Sequence, residues 1–383
     1  MKKLPIGLLT VMLCGLLAGC SGNGGPQQNA ETKAPETTTE AKQQPEANPT
    51  TEAAAAEAAK GQETAKAAET TEAAKPETVK LRVAYHPNFG GNNLYITAEK
   101  NGFFEEEGLI VEPVKFTAGP QEIAAMVAGD VDIGYIGHGA TFLAVQRQVN
   151  VFLTEFLGNG DELLTYKESG ITSLEDLKGK TIATAPGTSG ETVLKLALEK
   201  AGLSRDDVRI VNMDAAGMVA AIVAKKVDAC TLWPPQTSEV RKTMGEENVV
   251  RLTTIGDFRD QFAFPGHWVV TPKYMDAHPD VMVCFSRAML KAMDYRKEHP
   301  EETAENVAEF IDAPLDGVVA EMNNIDLFDA DYCYQVMTDK TAAKWYDALQ
   351  NLYVQDGKVE KTVPVEEWFC PQFAKEAYES LHK

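Results

Sequence analysis

The chain has 383 residues, with 57 Asp or Glu against 36 Lys or Arg, a formal net charge of −21. Such acidity argues against nucleic acid or an anionic surface as a partner, while leaving the sign inside a local cleft open. Behind a long polar N-terminal segment lie about 300 residues, more than one hydrophobic core usually holds, which implies two lobes.

Lys2 and Lys3 precede an apolar run over residues 8–17 that is too short to span a bilayer, so residues 1–19 read as a signal peptide. The run ends in Leu17-Ala18-Gly19-Cys20, which resembles the bacterial lipobox. The resemblance implies that Cys20 is acylated and anchors the chain on the outer face of a membrane. An ordinary secretory signal with an incidental Cys20 is the alternative. Residues 20–78 are Ala, Glu, Thr, Lys, Gln and Pro with no aromatic, a composition that buries too little apolar surface to offset its ordering entropy. They read as a tether.

The body alternates strand and helix. Residues 80–85 predict a first strand and residues 93–100 a helix stopped at Asn101-Gly102. Residues 109–114 predict a second strand, residues 123–128 a helix opened by Gly119-Pro120 and ended by Gly129, and residues 131–136 a third strand. This succession predicts a largely parallel sheet covered on both faces. A second unit follows: a short helix at 172–177 capped by Thr172 or Ser173, a strand at 181–184 and a helix at 193–201. Between the last two, Ala185-Pro186-Gly187-Thr188-Ser189-Gly190-Glu191 puts free amides and hydroxyls at a helix N-terminus, a place for a polar or anionic acceptor. Simple capping by Thr188 or Ser189 explains the same residues equally well.

Four cysteines lie in the body, Cys230, Cys284, Cys333 and Cys370, at spacings that fit no zinc pattern. They read as core residues; an oxidising exterior permits a disulfide, with Cys333 and Cys370 as a late pair, although sequence alone does not pair them. The chain carries no Gly-x-Ser-x-Gly elbow, no Gly-x-x-x-x-Gly-Lys loop and no evident nucleophile and base, so no catalytic residue and no cofactor is assigned.

Three segments, Ala125 to Gly134 (AMVAGDVDIG), Asp176 to Ala183 (DLKGKTIA) and Val227 to Pro235 (VDACTLWPP), resemble in order the substrate-binding proteins of nitrate, sulfonate, taurine and thiamine-precursor ABC importers. The resemblance spans the whole body. It implies an α/β fold of the periplasmic-binding-protein type II, two doubly wound lobes with a ligand cleft between them. Lobe 1 would comprise residues 79–166 and 265–383, and lobe 2 residues 167–264, with hinge closure burying the ligand. The implied partners are a small-molecule solute, an ABC permease and its ATPase, with the chain acting as a monomer. A pyrimidine-precursor-forming enzyme of the same fold is the enzymatic alternative, and a sensor or adhesion lipoprotein without a transporter is the other.

In that fold the loops after strands meet the ligand. After the first strand, Tyr85, His86, Asn88, Phe89 and Gly90 combine aromatic faces, an imidazole and an amide suited to a small polar or planar ligand, although Pro87 and Gly90 also suit a plain turn. His138 follows the third strand, where the family often has a small polar residue. In lobe 2, Thr188, Ser189 and Gly190 form the helix-end loop. Trp233-Pro234-Pro235 resembles the family's Trp-acid-Pro turn with Pro234 in place of the acid, which leaves Trp233 as a ligand wall or a core residue. His267 or Trp268 beside the return crossover is a further candidate contact. His86, His138 and His267 come from three separate segments without metal-ligand spacing, so no metal is assigned. The ligand class stays divided between a nitrate-, taurine- or sulfonate-like anion and a pyrimidine-like heteroaromatic.

Overall fold

A computed structural model describes residues 78–383; the expected signal peptide, Cys20 and nearly all of the expected tether lie outside the described residues. Eleven strands are described, in two sheets. The first sheet holds β1 (Val79–Tyr85), β2 (Leu109–Lys115), β3 (Ile133–Gly137), β4 (Asn150–Gly158), β10 (Pro265–Val270) and β11 (Ile325–Leu327), in the order β11-β4-β10-β3-β1-β2. The second holds β5 (Glu162–Tyr166), β6 (Thr181–Thr184), β7 (Arg209–Asn212), β8 (Ala229–Leu232) and β9 (Val249–Thr254), in the order β7-β6-β8-β5-β9.

Neither sheet is largely parallel. β1 runs parallel to β2 and β3, and β6 to β7 and β8, as strand–helix–strand units require. β10 is antiparallel to both β3 and β4, and β5 to both β8 and β9. The antiparallel members flank the two passages of chain between sheets, residues 159–161 outward and 259–264 on the return. β5, expected with the first lobe, is therefore hydrogen-bonded in the second sheet. Its run Leu163-Leu164 is as apolar as any inner strand, so nothing local marks which sheet it joins.

The second sheet shows why its residues alternate. Leu163, Ile182 and Ala229 pack in one buried cluster with the helix Ser189–Lys200, while their neighbours Leu164, Ala183 and Cys230 pack in another with Met218, Ile222 and Val240. Successive side chains of a strand point to opposite faces, so both faces of this short sheet are apolar and both are covered. The first sheet is covered by the helix Asn93–Lys100 and the 20-residue helix Pro279–Glu298, whose inner stripe includes Met282, Phe285, Met289 and Met293. The expected short helix at 172–177 is a single 3₁₀ turn, Glu175–Leu177, in which Asp176 accepts the Thr172 and Ser173 N–H groups, both at 2.9 Å. The helix after β6 starts four residues earlier than predicted, at Ser189.

All four body cysteines are free thiols. The expected Cys333–Cys370 pair is absent, and the fully buried Cys333 instead directs its thiol at the Thr154 carbonyl, 3.3 Å away. No described helix is long and apolar enough to cross a membrane.

Candidate functional site

The site is built from strand ends that face each other across the gap between the sheets. β1 runs out into a loop, residues 86–92, whose polar side chains fold it back on itself. Asn88 Oδ1 accepts the Gly91 N–H at 2.8 Å, Asn92 Nδ2 donates to the His86 and Asn88 carbonyls, and Asn93 Nδ2 donates to the Phe89 and Gly90 carbonyls at 3.1 and 2.9 Å. Asn and Gly suit such a loop because the short amide replaces missing backbone partners. The loop is braced from behind by Arg296, which is 1 % exposed, donates to Asn93 Oδ1 and the Phe328 carbonyl, and lies 3.8 Å from the buried Glu155 carboxylate.

Six of the predicted residues, His86, Asn88, His138, Thr188, Ser189 and Trp233, line one cavity of about 90 Å³. The others do not. Tyr85 packs on Phe310 with ring centroids 5.0 Å apart, outside the cavity. Phe89 and Gly90 are buried and contribute backbone N–H groups to Glu321 rather than a face to the cleft. Gly190 lies against Thr231. His267 and Trp268 are fully buried in β10: His267 Nε2 lies 3.1 Å from Thr141 Oγ1 and its ring meets Tyr346 edge-on, while Trp268 packs between Tyr135 and Phe285. A strand hydrogen-bonded on both sides buries its alternate residues on both faces, and this excludes both side chains from the cleft.

Sequence reasoning missed Tyr135, Phe156, Asp161 and Glu321, which line the same cavity. Tyr135 sits inside β3, two residues before its end. Asp161 sits in the outward passage between the sheets. Glu321 comes from the helix Leu315–Met322, where it and Asp316 are the acidic residues of a mostly apolar segment.

Electrostatically the cleft is unusual. Glu321 accepts the Phe89 and Gly90 N–H groups at 2.7 and 3.0 Å, yet burial still pushes its carboxyl up to about 8, with Asp161 adding to the rise. Burial likewise pushes Asp161 up to about 7 against the opposing effect of the Ser189 hydroxyl. His86 Nε2 lies 2.8 Å from the buried Glu122, which burial raises despite that imidazole. Burial lowers His138 to about 3, so its ring is neutral. His138 is 3 % exposed and its Nε2 has no hydrogen-bond partner. Among the described residues no group of three or more His, Cys, Asp or Glu is gathered as a metal site.

The two sheets' loops touch beside the cleft. Gly139, after β3, faces the backbone of Thr188 and Ser189, and Gly187, at φ 71°, faces Pro120. Glu191, in the first turn of the helix Ser189–Lys200, accepts the Gly187 N–H at 2.8 Å and pairs with Lys358 at 2.9 Å and Arg205 at 3.1 Å. Burial works to raise Glu191, but Lys358, the Gly187 amide and Arg205 together hold it below the usual carboxylate range. Lys358 belongs to the other side: it lies 5.2 Å from the Phe142 ring centroid, and its carbonyl accepts from Gln146 at 2.8 Å.

Residues 89–303, which take in most of both sheets, match the family described as NMT1/THI5 like. The chain belongs to this family. A putative binding protein of Brucella abortus is 26 % identical over 297 residues, 78 % of this chain and 92 % of its own length. The taurine-binding periplasmic protein of Escherichia coli is 27 % identical over 250 residues, 63 % of this chain and 74 % of its own. Among solved structures, the alkanesulfonate-binding protein SsuA of Xanthomonas axonopodis pv. citri, bound to MOPS, gives a TM-score of 0.62 at 21 % identity over 77 % of this chain and 99 % of its own. The desulfurization enzyme DSZB gives 0.60 at 17 % identity over 79 % of this chain and 99 % of its own. The fold is thus that of type II periplasmic binding proteins.

Proposed function

We propose that the chain is the solute receptor of an ABC importer, held by a lipid on Cys20 at the extracytoplasmic face of the cell membrane, where it acts as a monomer and passes its ligand to a permease driven by an ATPase. The cleft carries this reading. Its lining mixes the aromatic faces of Tyr135, Phe156, Phe264 and Trp233 with convergent polar groups from both sheets, the make-up of a small-molecule site. We place the lobe boundaries at the two passages, residues 159–161 and 259–264, which would act as the hinge.

The binding residues in this reading are His86, Asn88, His138, Thr188, Ser189 and Trp233, joined by Tyr135, Asp161 and Glu321. The reading is non-enzymatic: among the described residues no cysteine lines the cleft. The full chain, titrated with taurine, alkanesulfonates, nitrate and heteroaromatic amines, should take up one solute per chain and return it chemically unchanged. Consumption of a solute with a new product in solution would replace this reading with an enzymatic one.

A further inference from the structure

If the cleft is a solute site, as proposed above, its charge bears on which class of solute it takes. The charged side chains that line the cavity are the carboxylates Asp161 and Glu321, and among the described residues no Lys or Arg lines it. The three features that might attract an anion stand beside the protein's own acids. At the N-terminus of the 12-residue helix Ser189–Lys200, Glu191 takes the Gly187 N–H and Asp161 sits beside the Ser189 hydroxyl, while the Thr188 hydroxyl donates to the Ala185 carbonyl at 2.7 Å. The positive end of the helix dipole therefore faces carboxylates from within the chain. The His86 Nε2 likewise lies 2.8 Å from a Glu122 carboxylate oxygen, and Lys358, beside the touching loops, is paired with Glu191.

Glu321 is oriented by two backbone N–H groups, each on a different oxygen, which leaves its remaining lone pairs free to accept from a ligand. His138, nearly fully buried in the lining, keeps an unpartnered ring nitrogen that marks a place where a polar group belongs. Trp233 is shared with a second cavity of about 120 Å³, bounded by Asp214 and Gln236, so a solute can extend along the indole beyond the inner chamber. Asp214 adds a further carboxylate there.

We propose that the cleft selects a compact solute bearing a cationic, hydrogen-bond-donating nitrogen group, a protonated amine, an amidinium or an aminoheterocycle cation, seated between Asp161 and Glu321 with an apolar face on Trp233, and that it rejects simple oxyanions. A cation supplies the counter-charge that the Asp161 and Glu321 carboxylates lack once ionised, whereas an oxyanion meets two acidic groups and no Lys or Arg among the described lining residues. The raised carboxyls fit this reading, since binding a cation would displace their protons.

The test is calorimetric titration of the full chain with a matched pair of aromatic probes, benzamidine and benzenesulfonate, together with 2-aminopyridine, phenethylamine and nitrate. Benzamidine or another amine probe should bind at least tenfold tighter than benzenesulfonate or nitrate, and Asp161→Asn and Glu321→Gln should each weaken it at least tenfold. Asp161→Asn serves as the control should Glu321→Gln disturb the loop it holds. An oxyanion binding as tightly as every amine probe, no binding by any of the nitrogen probes, or unchanged affinity in Asp161→Asn, overturns the charge assignment. Stoichiometric, unreactive binding of an oxyanion would still leave the receptor reading standing.

Discussion

At Gly139 a Cβ atom would lie 2.0 Å from the Thr188 carbonyl carbon and 2.2 Å from the Ser189 nitrogen, and both obstacles are backbone. Neither can swing aside as a flexible side chain would, so the two loops must part. Gly139→Ala should weaken solute binding by an amount that overpacking typically costs, about 1–3 kcal/mol, while each lobe stays folded. A titration with any bound solute, paired with small-angle scattering to detect a wider form, checks this; unchanged affinity would show that the loops separate freely in the bound state. Individual residues also differ in how far the sequence reveals them. His86, Asn88, His138, Thr188, Ser189 and Trp233 were reachable because they follow strand ends, and position after a strand is a local property. Glu321 was not, because the N–H groups it accepts lie 231 and 232 positions away in sequence. Phe89 was misjudged for a related reason: its loop is turned inward by Asn92 and Asn93, and only the folded chain shows where the aromatic ring goes.

The loop after β1, the helix Asn93–Lys100 and the helix Pro279–Glu298 are joined by one buried polar group of three, Asn93, Glu155 and Arg296. The two charges are not equivalent. Glu155, pushed up to about 8 by burial in spite of Arg296, can take a proton when its partner is lost, whereas a guanidinium stays charged. Glu155→Leu should therefore cost about 3–5 kcal/mol, the usual result of stranding a buried charge, and Arg296→Met distinctly less. Urea unfolding of both variants decides it, and the reverse order would show that the helix-to-loop hydrogen bonds of Arg296 outweigh the charge. At this scale most elements were legible. β1, β2, β6 and the helix Asn93–Lys100 fall within a residue of their predicted bounds because apolar period, Gly stops and Pro starts are local signals. The sheet to which β5 belongs was not, since an inner strand is apolar on both faces in either sheet.

Across the whole molecule, buried titratable groups set how stability depends on pH. Folding raises Asp161 from 3.8 to about 7 and Glu155 and Glu321 from 4.5 to about 8. The folded chain then holds protons that the unfolded chain releases, so these groups lose stability as pH rises through that window. His138 and His267, lowered from 6.5 to about 3, act in the opposite sense. The unfolded chain takes up their protons below pH 6.5, so their contribution is present above that value and fades as pH falls toward 3. Over most of the acidic range the two sets offset each other. Above pH 6.5 the histidines are neutral in both states and the carboxyls act alone. The urea midpoint of the solute-free chain should fall between about pH 6.5 and 8.5, and Glu155→Gln should flatten the fall; a midpoint that climbs over this interval would contradict the burial of these acids.

Lys358 and Glu191 face each other from opposite sides of the cleft, one fixed by Phe142 and Gln146 and the other by the Gly187 amide and Arg205. In the proposed receptor, opening of the hinge would part this ion pair, so it would have little bearing on how often a solute arrives at an open cleft. Its influence would then fall on departure: the pair would separate before a captured molecule leaves, which makes it a term in residence time. A surface that offers either charge a new partner would shorten that time without touching the ligand.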